Sequence, residues 1–160
     1  MKQIPLTQGQ FAIVDDADYD WLNQYKWCAD KTGCGGYRAT RGFWRNGKCT
    51  KVYMHRQIMN APVGMDVDHR DHNTLDNQRH NLRVCTHAEN GYNQASKTGT
   101  SRFKGVSWHK QPGKWEAYIQ VDGKQRYLGL FTDEVEAAET YDKAARELFG
   151  EFAYCNFRIT

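Results

Sequence analysis

The chain has 160 residues, of which 39% are hydrophobic and 26% charged, and its formal net charge is +3. Its 5 Trp, 9 Tyr and 7 Phe supply apolar surface for one ordinary domain or two small ones, which excludes a disordered chain. No apolar run approaches the roughly 20 residues of a membrane-spanning helix, and the cysteines (Cys28, Cys34, Cys49, Cys85, Cys155) are odd in number with no C-x-x-C pair, against a disulfide framework or a Cys-type zinc knuckle.

The N-terminal MKQIPLTQGQ lacks a continuous apolar stretch and a small-residue cleavage site, so a mature cytoplasmic protein with reduced thiols is expected. Residues 11–15 (FAIVD) read as a strand, and 16–25 (DADYDWLNQY) as a short helix whose acids suit the positive end of its dipole. Strand-like pieces follow at 26–30, 36–43 and 48–55, separated by the turn signals Thr32-Gly33 and Asn46-Gly47, which predicts a β-meander. Residues 61–97 are crowded with Asn, Asp and His, and only Val67, Leu75, Leu82 and Val84 read as buried aliphatics. Lys97 to Ser101 has the composition of a linker.

Beyond the linker, 102–108 reads as a strand. WEAYIQV (115–121) alternates strictly, with Trp115, Ala117, Ile119 and Val121 on one face and Glu116, Tyr118 and Gln120 on the other. Asp122-Gly123 is a two-residue turn into a third strand, 124–131. Thr132 can cap a helix, acids at 133, 134 and 136 suit its start and Gly150 its end. Val135, Ala138, Tyr141, Ala145 and Leu148 form its apolar stripe. The predicted class is α+β, with a β-rich region (1–53), a polar central segment (54–97), a linker (98–101) and a three-stranded antiparallel sheet packed on one helix (102–160).

Charge is segregated along this order. Residues 31–65 contain no acid but hold Arg38, Arg41, Arg45, Lys51 and Arg56 among Tyr37, Phe43, Trp44 and Tyr53, the composition of a polyanion-binding surface. From Arg102 to Arg126 bases outnumber acids, and from Tyr127 onward acids outnumber bases, so the last sheet is expected to be positive and its helix negative.

The polar centre offers Val67-Asp68-His69, then Asn81-Leu82-Arg83, then Glu89-Asn90. Phosphodiester hydrolysis needs a base for the attacking water and a charge to steady the leaving oxygen. A histidine near neutral pKa suits the first role. Asp68 and Asn90 offer hard oxygens for a divalent ion. In a strand, Asp68 and His69 point to opposite faces, so spacing alone does not bring them together.

MHRQIM, VDHRDHNTLDNQRHNLRVCT and ENGYNQ, in that order within residues 54–94, resemble the HNH endonucleases of the ββα-metal fold in their phage homing form. The resemblance implies His69 as general base, Asp68 and Asn90 as ligands of one metal ion, and Asn81 holding the His69 ring through its side-chain carbonyl. Asn90 stands where many members carry a final His, which makes this an H-N-N version and favours Mg²⁺ or Mn²⁺ over zinc. Asn73, Asp76 and Asn77 are expected to make turn hydrogen bonds. His72, His80 and His87 with Cys85 match no standard zinc spacing. His55 is either a phosphate contact or a packed core histidine, and Arg56 is the preferred contact.

Residues 101–157 resemble the plant APETALA2/ethylene-response-factor DNA-binding domain through SRFKGVSWHK, GKWEAYIQV, LGLFTDEVEAAETYDKAA and FGEFAYCNF. That resemblance implies a sheet in the DNA major groove, with Lys104, Trp108, Lys114, Tyr118, Gln120, Gln125 and Tyr127 toward DNA. Several arginines of the plant pattern are Lys, Tyr or Gln here, so its target sequence does not carry over. The combined expectation is a homing-type DNA endonuclease from a phage or bacterial cell. It acts on double-stranded DNA as a monomer that nicks one strand, with no membrane role. The alternative is a non-catalytic DNA-binding or regulatory protein with a decayed nuclease motif.

Overall fold

The computed structural model describes residues 1–33, 35–45, 47–95 and 99–157. Cys34, Asn46 of the second turn signal, and Lys97 and Thr98 of the linker lie outside the described residues. The chain forms two compact units, Met1–His87 and Ala88–Thr160, and the α+β class holds in both. No helix among the described residues is long and apolar enough to cross a membrane.

In the first unit, β1 (Lys2–Pro5) and β2 (Phe11–Val14) pair antiparallel, and β1 is a strand the sequence reading did not draw. Helix α1 (Asp16–Leu22) follows. A second sheet orders β3 (Cys28–Lys31), β4 (Tyr37–Arg45) and β5 (Lys48–Tyr53) as the expected meander. The predicted last strand runs two residues too far, because at Met54 the chain turns into α2 (Met54–Ile58), which buries Met54 and Ile58. His55 and Arg56 are therefore helical. β6 (Asp66–His69) and β7 (Leu82–Cys85) then form a two-stranded antiparallel pair. Residues on both sides of position 53 share one core, in which Ile4, Val14, Leu22, Trp27, Met54 and Ile58 pack with Val67 and Leu82.

The connection between β6 and β7 is too polar to fold around its own apolar residues, and the N-terminal elements hold it. Ile13 N donates to Leu75 O (2.8 Å) and Asn77 N to Ile13 O (2.8 Å), which extends β2 by a parallel bridge. Asp15 accepts from Arg79 N (2.8 Å) and Gln78 Nε2 (3.0 Å), and the Arg79 backbone N–H holds its carboxyl below the usual carboxylate range. Asp18, buried on α1, takes Arg79 through two bonds of 2.7 and 2.8 Å in the bidentate fork that suits a guanidinium. The first acids of α1 thus serve the loop as well as the helix dipole.

In the second unit, α3 (His87–Tyr92, beginning at the last residue of the first unit) precedes a three-stranded antiparallel sheet of β8 (Val106–His109), β9 (Lys114–Val121) and β10 (Lys124–Phe131). The first of these strands is shorter than the predicted 102–108. Asp122 and Gly123 take φ of 49° and 75°, as a primed two-residue hairpin turn requires. Gly105 has no alternative: at φ +74° a Cβ would lie 2.0 Å from the Tyr141 ring. Helix α4 (Glu134–Phe149) packs on the sheet through Ala137, Ala138, Tyr141 and Ala145. Its cap is Asp133, one residue later than expected, whose carboxylate accepts from Val135 N and Glu136 N. Val135 and Leu148, at the two ends of the predicted stripe, remain about two-fifths exposed. Buried Asp142 accepts from Asn156 and Phe157, and Asn156 in turn bonds the Lys104 backbone.

Candidate active site

Register places the motif residues of the first unit. Asp68 stands opposite Arg83 and His69 opposite Leu82, so the two neighbours face opposite sides as strand geometry demands. The Asp68 face is ionic and buried. Arg83 Nε and Nη2 both donate to Asp68 Oδ2, at 2.9 and 2.6 Å, with both side chains less than a tenth exposed. Removing one partner would strand a buried charge, so this guanidinium fixes the carboxylate in place.

His69 lies on the core face, beside Leu82 and Val67, and is buried. Burial pulls its imidazole below the ordinary histidine range, while Asn77 and the carboxylates of Asp68, Asp71 and Asp76 pull the other way. A neutral, base-competent ring near pH 7 is the outcome. The His55 ring of α2 meets His69 edge to face, with centroids 5.1 Å apart.

Asn81 has a role in the loop. It is buried, its Oδ1 accepts from Asp71 N (3.1 Å), and its Nδ2 donates to Asp76 O (3.0 Å). Asn77 is fully buried, and its Oδ1 has no hydrogen-bond partner among the described residues. Its Nδ2 is tied to Leu75 O (3.1 Å), and its side chain lies close enough to His69 to favour the protonated ring. Asn73, Asp76 and Asn77 do make the expected turn bonds. Arg83 could have been found, because pairing Val67 with Val84 places it opposite Asp68.

Asn90 lies on α3 of the second unit. Among the described residues no three His, Cys, Asp or Glu side chains form a metal cage.

The basic run of the first unit is mostly engaged inside the protein. Arg38 and Lys51 both reach Asp30 (3.4 and 3.0 Å). Arg41 donates to Gln57 (3.2 Å) and stacks over Tyr25. Arg56 braces the turn before β6 through Met65 O (2.6 Å) and Pro62 O (3.1 Å). Arg45 differs: it is exposed at the hairpin end, directly across from Lys48 and beside Trp44, which is 72% exposed.

In the second unit, the register puts Lys114, Glu116, Tyr118 and Gln120 of β9 on the face away from α4, with Gln125 and Tyr127 of β10 as their partners. Trp108 and Lys104 depart from the expectation. Trp108 pairs with Trp115, on the face that carries Ala117, and their rings meet edge to face at 5.0 Å. Lys104 turns inward to donate to Tyr92 O (2.6 Å) over the Tyr154 ring, and burial pushes its pKa down to about 8.

Residues 53–92 match the HNH endonuclease family. The chain is 28% identical over 155 residues to an uncharacterized HNH endonuclease of Acanthamoeba polyphaga mimivirus, covering 93% of this chain and 76% of that protein. It is 36% identical over 105 residues to Protein 3.8 of Escherichia phage T7, covering 62% of this chain and 86% of the phage protein. The C-terminal region is similar to APETALA2-like protein 2 of Oryza sativa subsp. japonica, 52% identical over 61 residues, which is 37% of this chain and 14% of the plant protein.

Proposed function

Because the chain belongs to the HNH endonuclease family and is a nuclease acting on DNA, we propose that it is a homing-type enzyme that nicks one strand of a duplex, with His69 as the base. The observation that carries this is the neutral, buried His69 ring set beside Asn77 and His55 and across the strand from a clamped Asp68. His69 takes the proton of the attacking water. Arg83 holds Asp68 in place, and Asn81 and Asn77 brace the loop that follows the base.

Asp68 and, by motif order, Asn90 would hold one Mg²⁺ or Mn²⁺ ion, which stabilises charge on the phosphate and the leaving oxygen when bound. Family membership supports a metal requirement, and a neutral amide in place of a final His supports a hard ion. One base and one ion per chain support a monomer that cuts a single strand.

Duplex DNA is held at two places in this reading. Arg45 and Lys48 sit directly opposite each other at a hairpin end, a like-charge pair that a phosphate would relieve. The outer sheet face of the second unit supplies Lys114, Tyr118, Gln120, Gln125 and Tyr127. Two modest contacts on one chain raise each other's effective concentration. A cytoplasmic site of action, in a phage-infected or bacterial cell, fits the viral relatives. The test is supercoiled plasmid or phage DNA incubated with Mg²⁺, Mn²⁺, Zn²⁺ or EDTA. Open-circular product with the first two ions only is expected. Linear product from the outset, or cutting in EDTA, would reject the single-ion nickase.

A further inference from the structure

We propose that His55 is a positioning residue for the His69 imidazole, one that fixes the base by ring packing rather than by a hydrogen bond. The inference rests on His69 being the base. Three observations carry it. His55 sits in the first turn of α2, a helix anchored by the buried Met54 and Ile58, so its ring is held from a rigid element and not from the loop. It belongs to a column of rings: the Arg38 guanidinium lies 4.9 Å over Tyr53, Tyr53 and His55 are 5.7 Å apart and tilted by 30°, and His55 meets His69 at 5.1 Å and 72°. Finally, His55 Nδ1 is buried with no hydrogen-bond partner among the described residues, and the edge-to-face ring contact is what the geometry shows between His55 and His69.

The chemistry is consistent with that arrangement. Burial, with the His69 ring and the Arg38 and Arg56 charges nearby, pushes His55 down to about 3 against the opposing pull of Asp66. The ring stays uncharged beside a base that must accept a proton. His55 reaches His69 from α2, an element separate from the polar loop, and so restrains the imidazole from the helix side. Restraint of that kind matters because small misplacements of a catalytic group are costly.

The experiment compares the full-length wild type with His55→Ala and His55→Phe. His55→Ala should lower the single-turnover cleavage rate about 10- to 100-fold while DNA affinity stays within about twofold, and His55→Phe, which restores a flat ring without nitrogen, should recover most of the rate. Nitrogen-15 spectra of the His69 ring give a readout that needs no cleavage: one tautomer in wild type and His55→Phe, and averaged signals in His55→Ala. Should His55→Ala fail to fold, His55→Leu, similar in bulk but not flat, takes its place with the same expectations. Full activity in the truncated variant, an unchanged His69 spectrum, or His55→Phe as defective as His55→Ala would each overturn the proposal. Wild-type protein that never cuts, yet shows the expected spectra, overturns the assigned reaction and leaves the ring contact standing.

Discussion

In the first unit the residues marked for chemistry are buried and tied to one another, with Asp68, His69, Asn81 and Arg83 each less than a tenth exposed and Asn77 fully buried. In the second unit the residues expected to meet DNA, Gln120, Gln125 and Tyr127, are exposed, and none makes a side-chain hydrogen bond among the described residues. One unit uses its functional groups as part of its interior, and the other carries them on a finished apolar framework. The consequence is a difference in what substitution can separate. Changes around β6 and β7 should affect folding and chemistry together, whereas changes on the outer sheet face should affect binding alone.

The sharpest way to break this contrast is Arg83→Met. It leaves Asp68 buried without its guanidinium, and a loss of about 3–5 kcal/mol in urea unfolding is expected, partly regained in the double variant with Asp68→Asn. A loss below about 1 kcal/mol would show that the ionic face of β6 is not structural. Tyr127→Ala on the outer face, with the ring 58% exposed, should weaken DNA binding by about 1–2 kcal/mol, measured by anisotropy titration, and leave the melting temperature within about 2 °C.

A further test concerns Lys104. Its folded pKa is about 8 against an ordinary 10.5, so between those values the unfolded chain binds more protons and stability rises with pH. That gain is complete above 10.5 and lost as pH falls through 8. Melting temperature followed from pH 7 to 10 should therefore climb in wild type relative to Lys104→Met, and parallel curves would place the amine in water.

The same contrast explains what was legible in the sequence. β9, the Asp122-Gly123 turn and β10 could be read because alternation reports burial directly when one face is apolar. The face of Trp108 was not legible, because an aromatic at a sheet end reads equally well on either face, and its pairing with Trp115 is a matter of register. In the first unit the pattern fails where polar groups are buried. The β6–β7 loop has almost no apolar residues, so nothing in its composition says that Asp15 and Asp18, more than 60 positions away, hold it. The motif located His69 and Asp68, but which asparagine meets the ring depends on loop hydrogen bonds that composition does not encode. In the basic run from 31 to 65, composition does not show that Arg38, Arg41, Lys51 and Arg56 also have partners within the protein, Asp30, Tyr25, Gln57 and backbone carbonyls.

The most direct test of the central claim is plasmid nicking by wild type and His69→Ala in Mg²⁺, with DNA affinity and melting temperature measured on the same preparations. A fall in cleavage rate of about 10²- to 10⁴-fold is predicted for His69→Ala at a temperature where the variant is still folded, with affinity retained, as expected for loss of a general base. Cleavage by His69→Ala at the wild-type rate would contradict the account, because the buried imidazole would then be part of the core and not of the reaction.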